Sequence, residues 1–166
     1  MKQFTAQYES PLGCITLFSD GDALTGLKFE KATAGHETTA NLTVFAETSA
    51  WLDRYFQGQK PVVFPKMNPE GTMFQKWVWA RLLLIPYGKT ISYGALANDY
   101  TERTGKAMSA QAIGGAVGRN PIPVLIPCHR VIGADGSLTG YAWGVERKAK
   151  LLHLESADCP AAFAIT

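Results

Sequence analysis

The 166-residue sequence predicts an α+β protein: a small antiparallel sheet domain at the amino terminus, then a mainly helical domain with a helix-turn-helix-like segment. Three observations predict it. Short apolar runs separated by turn residues fill the first thirty positions. Helix-spaced apolar residues with cap and stop signals fill most of the second half. Between them, residues 59–69 hold three prolines and read as a linker. The expected domains are 1–69, linker included, and 70–158, with 159–166 as a tail.

The runs Phe4 to Tyr8, Cys14 to Phe18 and Leu24 to Phe29 are read as three strands. Ser10-Pro11 and Ser19-Asp20-Gly21-Asp22 separate them, so an antiparallel meander is expected. Lys31 to Asn41 shows no periodicity and is expected to be a loop. Val44, Trp51, Leu52, Tyr55 and Phe56 suit an amphipathic helix ending near Gly58. In the second half, Phe74, Trp77, Val78, Leu82 and Ile85 fall on one helical face, stopped by Pro86-Tyr87-Gly88. Ser92 is an expected N-cap for a helix through Tyr93, Leu96 and Tyr100. Thr101 to Met108 reads as a polar loop, and Ser109 caps a helix running to about Gly118. That order suits a helix-turn-helix with a longer loop than usual. A last helix spans Gly144 to Glu155, with Val145, Leu151, Leu152 and Leu154 as its apolar positions.

Composition narrows the function classes. At 46% hydrophobic and 18% charged residues, the chain can bury a core and is not a disordered tail. No apolar run approaches the ~20 residues of a membrane span. Residues 1–9 lack a signal-peptide core. A soluble, cytoplasmic protein is expected, and a DNA-binding role would associate it with the nucleoid in a bacterial host. Cys14, Cys128 and Cys159 are widely spaced with no C-x-x-C pair, so neither a disulfide framework nor a zinc knuckle is indicated. Cys14 and His36 are the only plausible metal ligands, and a closed zinc site needs four. No metal and no cofactor are expected. Residues 1–69 hold six basic against seven acidic side chains, and residues 70–166 ten against seven. A modestly basic second half suits phosphate contacts and ordinary solvated surface equally.

Pro127-Cys128-His129-Arg130-Val131 follows the apolar run Ile122-Pro123-Val124-Leu125-Ile126 and is the most informative stretch. A thiolate is the nucleophile in cysteine chemistry, and it forms readily only beside a base or positive charge. The pentapeptide alone also fits a packed core cysteine followed by two polar residues. The paired Gly114-Gly115 is unusual in a helix, where each glycine costs ~1 kcal/mol relative to alanine. Tight helix packing and close approach of DNA backbone both explain such a pair.

Taken with Tyr87 to Gly94, Ala112 to Pro121, Gly136 to Tyr141 and Leu151 to Glu155, the pentapeptide resembles the O6-alkylguanine-DNA alkyltransferases. The resemblance is dense from about Gly71 to Glu155. It is looser before residue 60, where Tyr8-Glu9-Ser10-Pro11-Leu12-Gly13 and Leu24 to Phe29 look like the family's first strands. It implies a ribonuclease H-like amino-terminal domain and a winged helix-turn-helix second domain. It also implies irreversible, once-only transfer of a methyl or small alkyl group from guanine O6, or thymine O4, onto Cys128. A transferred alkyl group gives a thioether, which has no carbonyl for water to attack.

The resemblance assigns further roles. Glu155 would orient His129, and His129 would take the Cys128 proton. His153, the competing histidine, is expected on the helix surface. Tyr93 would donate a proton or hydrogen bond to the departing guanine. Asn120, Gln111, Arg130, Tyr141, Ala142 and Ser92 are expected at the DNA or the base, and Trp143 and Pro127 at the pocket wall. The partner implied is double-stranded DNA, bound through the minor groove with little sequence preference and with the target base flipped out. Two departures stand out. Gln111 replaces an arginine common in the family, so weaker DNA affinity with flipping retained is expected. Trp143 replaces the glycine of human-type relatives, which narrows the pocket against benzyl-sized groups. Two rivals are a Cys-His-Glu hydrolase that turns over and a binding protein that marks alkylated DNA. Markers of that kind carry tryptophan in place of the reactive cysteine.

Overall fold

The computed structural model describes residues 3–31, 37–38 and 41–156. They form two compact units. One holds the residues up to Glu70 together with Pro121–Leu125, and the other holds Gly71–Asn120 and the residues from Ile126 on.

In the first unit the expected meander is present as β1 (Phe4–Ser10), β2 (Gly13–Ser19) and β3 (Leu24–Lys28). β1 and β2 pair antiparallel with Tyr8 opposite Ile15, and β3 pairs antiparallel with β2. A short β4 (Glu37–Thr38) adds parallel to β1, within the stretch expected to be loop. The sheet order is β3-β2-β1-β4. Helix α1 (Thr43–Phe56) buries Val44, Phe45, Thr48, Trp51, Leu52 and Tyr55, the spacing of one helical stripe. With Ile15, Leu17, Leu24 and Leu27 they form this unit's core.

The proline-rich stretch is not a free linker. Leu24 N–H donates to the Lys66 carbonyl and Asn68 N–H to the Leu24 carbonyl, both at 2.8 Å. Leu27 N–H donates to the Pro121 carbonyl at 2.9 Å. Two irregular segments thus cover the edge of β3, which would otherwise offer unpaired backbone groups. Sequence periodicity cannot report this, because such pairing leaves no alternation of side chains.

In the second unit α2 (Met73–Leu82) starts with a reciprocal Thr72/Gln75 capping box. Its buried residues are Val78, Trp79 and Leu82, with Phe74 and Trp77 half-exposed. Of the expected face, Val78, Leu82 and Ile85 are buried, while Trp79 takes the inward place expected of Phe74 and Trp77. Trp79 is the anchor, because its indole N–H donates to the Ala116 carbonyl of α4 at 2.9 Å. Phe74 and Trp77 instead meet the Tyr100 ring edge-on.

Helix α3 (Tyr93–Thr104) is capped by Ser92, whose hydroxyl accepts from Ala95 N–H at 3.0 Å. It continues a full turn past Tyr100 and ends at Gly105, whose φ of 74° suits glycine. The first half of the expected loop, Thr101–Thr104, is thus helix. Asp99 holds that extra turn by accepting from Arg103 and Arg81, each at 2.8 Å. Ser109 caps α4 (Ala110–Gly118) as expected. A single 3-10 turn, Cys128–Arg130, leads into β6 (Val131–Ile132), which pairs parallel with β5 (Ile91–Ser92). This pairing ties the chain entering α3 at Tyr93 to the chain leaving the Cys-His-Arg turn.

The last helix, α5 (Val145–Glu155), buries Lys148, Ala149, Leu151, Leu152 and Glu155. Val145 and Leu154, expected as apolar anchors, are respectively exposed and half-exposed. Two charged residues occupy the buried stripe in their place. Among the described residues no helix is long and apolar enough to cross a membrane.

Candidate active site

The 3-10 turn buries Cys128, His129 and Arg130, and α5 delivers Glu155 to them. His129 Nε2 lies 2.5 Å from Glu155 Oε2. Arg130 Nε donates to the other oxygen, Oε1, at 2.7 Å, and its Nη1 donates to the Ile85 carbonyl at 2.7 Å. Gly88 N–H adds a 3.4 Å contact to Oε1. Burial pushes the Glu155 carboxyl up, but His129 and Arg130 outweigh it and hold its pKa at about 2. An ionised Glu155 requires a proton on Nε2, which leaves the lone pair on Nδ1. Burial keeps His129 below its ordinary pKa, against the pull of Glu155. The imidazole therefore rests neutral and able to accept a proton.

Cys128 is held up to a pKa of about 11 by burial, with Asn120 and Lys148 opposing. Its basic neighbours do not make a standing thiolate. The resting sulfur is a thiol that must lose its proton when it reacts, so a base is required. Asn120 is buried and its Nδ2 donates to the Ile126 carbonyl at 2.7 Å, fixing the chain just before Pro127 and Cys128.

The other end of the site is built on Tyr93. Its hydroxyl donates to the Thr139 carbonyl at 2.9 Å. Burial, then Cys128, raises its pKa, so the phenol keeps its proton. Gly140, at φ 75°, is next to that carbonyl, and a Cβ there would stand 3.2 Å from Tyr93 Oη. Both the backbone conformation and the close approach call for glycine. Lys148 completes this end: Nζ donates to Thr139 O at 2.9 Å and lies 3.4 Å from Tyr93 Oη. Burial lowers its pKa to about 8.

Sequence reasoning missed Lys148. The signal was present, since Lys148 lies seven residues before Glu155 and in phase with Leu151 and Leu152. A charge in phase with an apolar stripe marks a buried charge.

The remaining candidates are distributed unevenly. Tyr141 and Pro127 are buried, and the Tyr141 hydroxyl makes no hydrogen bond among the described residues. Trp143 is half-buried, with its carbonyl accepting from Arg147. Ser92 serves α3 as its cap. Gln111 and Ala142 are exposed and not joined to the Cys128 cluster by any hydrogen bond among the described residues. Arg130, expected at the DNA, is instead buried on Glu155, because neither a guanidinium nor a carboxylate is tolerable alone in a dry interior. His153 is exposed, as expected. His36 and Cys159 lie outside the described residues. Among those described, no group of three or more His, Cys, Asp or Glu is placed to hold a metal.

Fold and site define a two-unit protein whose helix-turn-helix segment is coupled to a buried cysteine with a histidine–carboxylate pair. Known proteins share that combination. Residues 73–157 match the DNA binding domain of 6-O-methylguanine DNA methyltransferase, and residues 4–65 match its ribonuclease-like domain. A methylated-DNA–protein-cysteine methyltransferase from Methanosarcina acetivorans is 43% identical over 156 residues, covering 92% of this chain and 97% of that protein. One from Mycobacterium tuberculosis is 41% identical over 156 residues, covering 92% of each chain. The crystal structure of Mycobacterium tuberculosis OGT in complex with DNA superposes with a TM-score of 0.80 at 38% identity, covering 98% of this chain and 97% of that one. The chain belongs to the 6-O-methylguanine DNA methyltransferase family.

Proposed function

We infer that this chain repairs DNA by direct reversal, moving a methyl or small alkyl group from guanine O6 onto Cys128. The observation that carries the reading is the buried Cys128 beside a His129 whose Nε2 is fixed by Glu155 at 2.5 Å. The Cys128 thiol gives its proton to His129 Nδ1, directly or through a water. The sulfur then attacks the alkyl carbon, the S–C bond forms, and the C–O6 bond breaks. Its electron pair returns to the purine, which is completed as guanine by a proton. Tyr93 donates it, turning its hydroxyl from the Thr139 carbonyl to the base, and the proton that left the thiol replaces it through solvent. The imidazolium left on His129 faces an ionised Glu155, which favours its formation.

DNA is the partner, approached through α4. A Cβ at Gly115 or Gly118 would meet nothing within 4 Å, so packing within the protein does not call for glycine there. The outer side of α4 is smooth, which suits a minor-groove backbone at close range. Gln111, exposed in the first turn, is the side chain for the gap left by the flipped nucleotide. The reading includes a monomer acting with little sequence preference, in the cytoplasm.

Against a hydrolase stands the Cys128 N–H. A hydrolase would turn that donor to an oxyanion, and here it donates to the Ile126 carbonyl at 2.8 Å. Titration with excess duplex carrying one O6-methylguanine tests the reading. Methyl uptake that stops at one per protein is expected. Continued turnover contradicts it in favour of a hydrolase, and damage-specific binding without uptake contradicts it in favour of a lesion marker.

A further inference from the structure

Arg130 turns its bonds into the protein. Its Nε meets Glu155 Oε1 at 2.7 Å, its Nη1 meets the Ile85 carbonyl at 2.7 Å, and its guanidinium lies over the Tyr87 ring at 5.7 Å. It shares one carboxylate with His129, each on its own oxygen. We propose that Arg130 is a positioning residue that divides the Glu155 charge with His129, so that the imidazole stays neutral and ready to take the Cys128 proton. The proposal rests on the transfer reading above for its purpose, but not for its test.

The electrostatics follow from the geometry. A buried carboxylate bonded to an imidazole pulls a proton onto the ring. An imidazolium at rest has no lone pair for the thiol proton. Arg130 opposes that pull in two ways. It neutralises Glu155 from the other oxygen, and its own charge disfavours a second cation one residue away. The charges acting on His129 are Glu155 and Lys148 from α5 and Arg130 from its own turn. Cys128 on the same turn is a neutral thiol at rest. The segment after α2 contributes Tyr87, a phenol facing Glu155 and Arg130, which its raised pKa keeps uncharged. Arg130 and Lys148 thus stand against one carboxylate. A planar fork suits the task better than an ammonium, since it bonds Glu155 and Ile85 together and fixes the carboxylate's orientation.

The test is the titration of the His129 imidazole by NMR in the DNA-free protein. The chain has three histidines, His36, His129 and His153, so assignment by a His129→Gln control is direct. Arg130→Gln removes the charge and keeps a donor for Glu155, which protects the fold. Arg130→Lys keeps the charge. The wild-type His129 midpoint is expected to lie below that of an ordinary histidine, and Arg130→Lys to remain close to it. In Arg130→Gln the midpoint is expected to rise by about one unit, and the pH at which transfer falls to half its plateau is expected to rise with it by the same amount. Equal midpoints in wild type, Arg130→Gln and Arg130→Lys would overturn the proposal and leave Arg130 a structural residue. A wild-type midpoint at or above an ordinary histidine's ~6.5 would overturn it without any variant. The titration needs no methyl transfer, so its failure and failure of the repair reading are distinguishable.

Discussion

Helix α5 carries one carboxylate and one ammonium on its buried face, two turns apart, and their surroundings treat them in opposite ways. Glu155 has two cationic or protonatable partners, and they hold its charge in place at a pKa of about 2 despite burial. Lys148 has a carbonyl and a phenol, both neutral, and burial brings its pKa down to about 8. One end is built to keep a fixed charge beside the base that takes a proton. The other keeps a loosely held proton beside the tyrosine that gives one away. The lesson is that the same depth of burial yields opposite chemistry, depending on whether the partner carries charge.

The largest effect expected at the Glu155 end comes from Glu155→Gln. It removes the fixed charge facing the imidazolium, and single-turnover methyl transfer should fall roughly a hundredfold, the lower range of general-base contributions. Affinity for an O6-methylguanine duplex, measured by fluorescence anisotropy, should stay within a factor of two or so of wild type. A parallel loss of binding would break the comparison. At the other end, Tyr93→Phe should slow transfer by about tenfold to a hundredfold, with the pH dependence set by His129 retained. Stopped-flow rates across pH would read both.

Stability should separate the two ends by the sign of its pH dependence. Glu155 titrates at about 2 in the fold against an ordinary 4.5, so its contribution is present above pH 4.5 and lost as pH falls toward 2. Lys148 titrates at about 8 against 10.5, so its burial penalty is present below pH 8 and relieved as pH rises toward 10.5. Each is worth on the order of 3 kcal/mol over its full range. Urea midpoints should therefore rise between about pH 8 and pH 9.5 in the wild type, and Lys148→Met should remove that rise. The smallest expected effect is local. Ser92→Ala deletes the cap that starts α3 at Tyr93 and should cost ~1 kcal/mol, with transfer reduced only as far as Tyr93 loses its position.

What the sequence revealed follows the same divide. The meander, α1, the Ser92 and Ser109 caps and the Cys-His-Arg segment were all legible, because each has a local signature in turn chemistry or periodicity. Glu155 was reached only through resemblance, since its pairing with His129 is made by tertiary packing. Arg130 was misread as a DNA contact for the same reason: its partner lies 25 residues away on another element. The length of α3 was misjudged because Thr101 and Thr104 are weak helix formers and the stretch between them has no apolar residue, and the Arg81–Asp99–Arg103 bridges that hold it are not visible as a pattern. The cover over β3 left no trace, as backbone pairing by an irregular segment sets no side-chain rhythm.

The most direct test of the central claim is peptide-resolved mass spectrometry after reaction with a duplex bearing one O6-methylguanine, with Cys128→Ala alongside. One methyl on the Cys128 peptide, none on the peptides of Cys14 or Cys159, and none in the variant is the predicted result. A methyl on another cysteine, or uptake that persists in Cys128→Ala, would contradict the assignment of Cys128 as the acceptor.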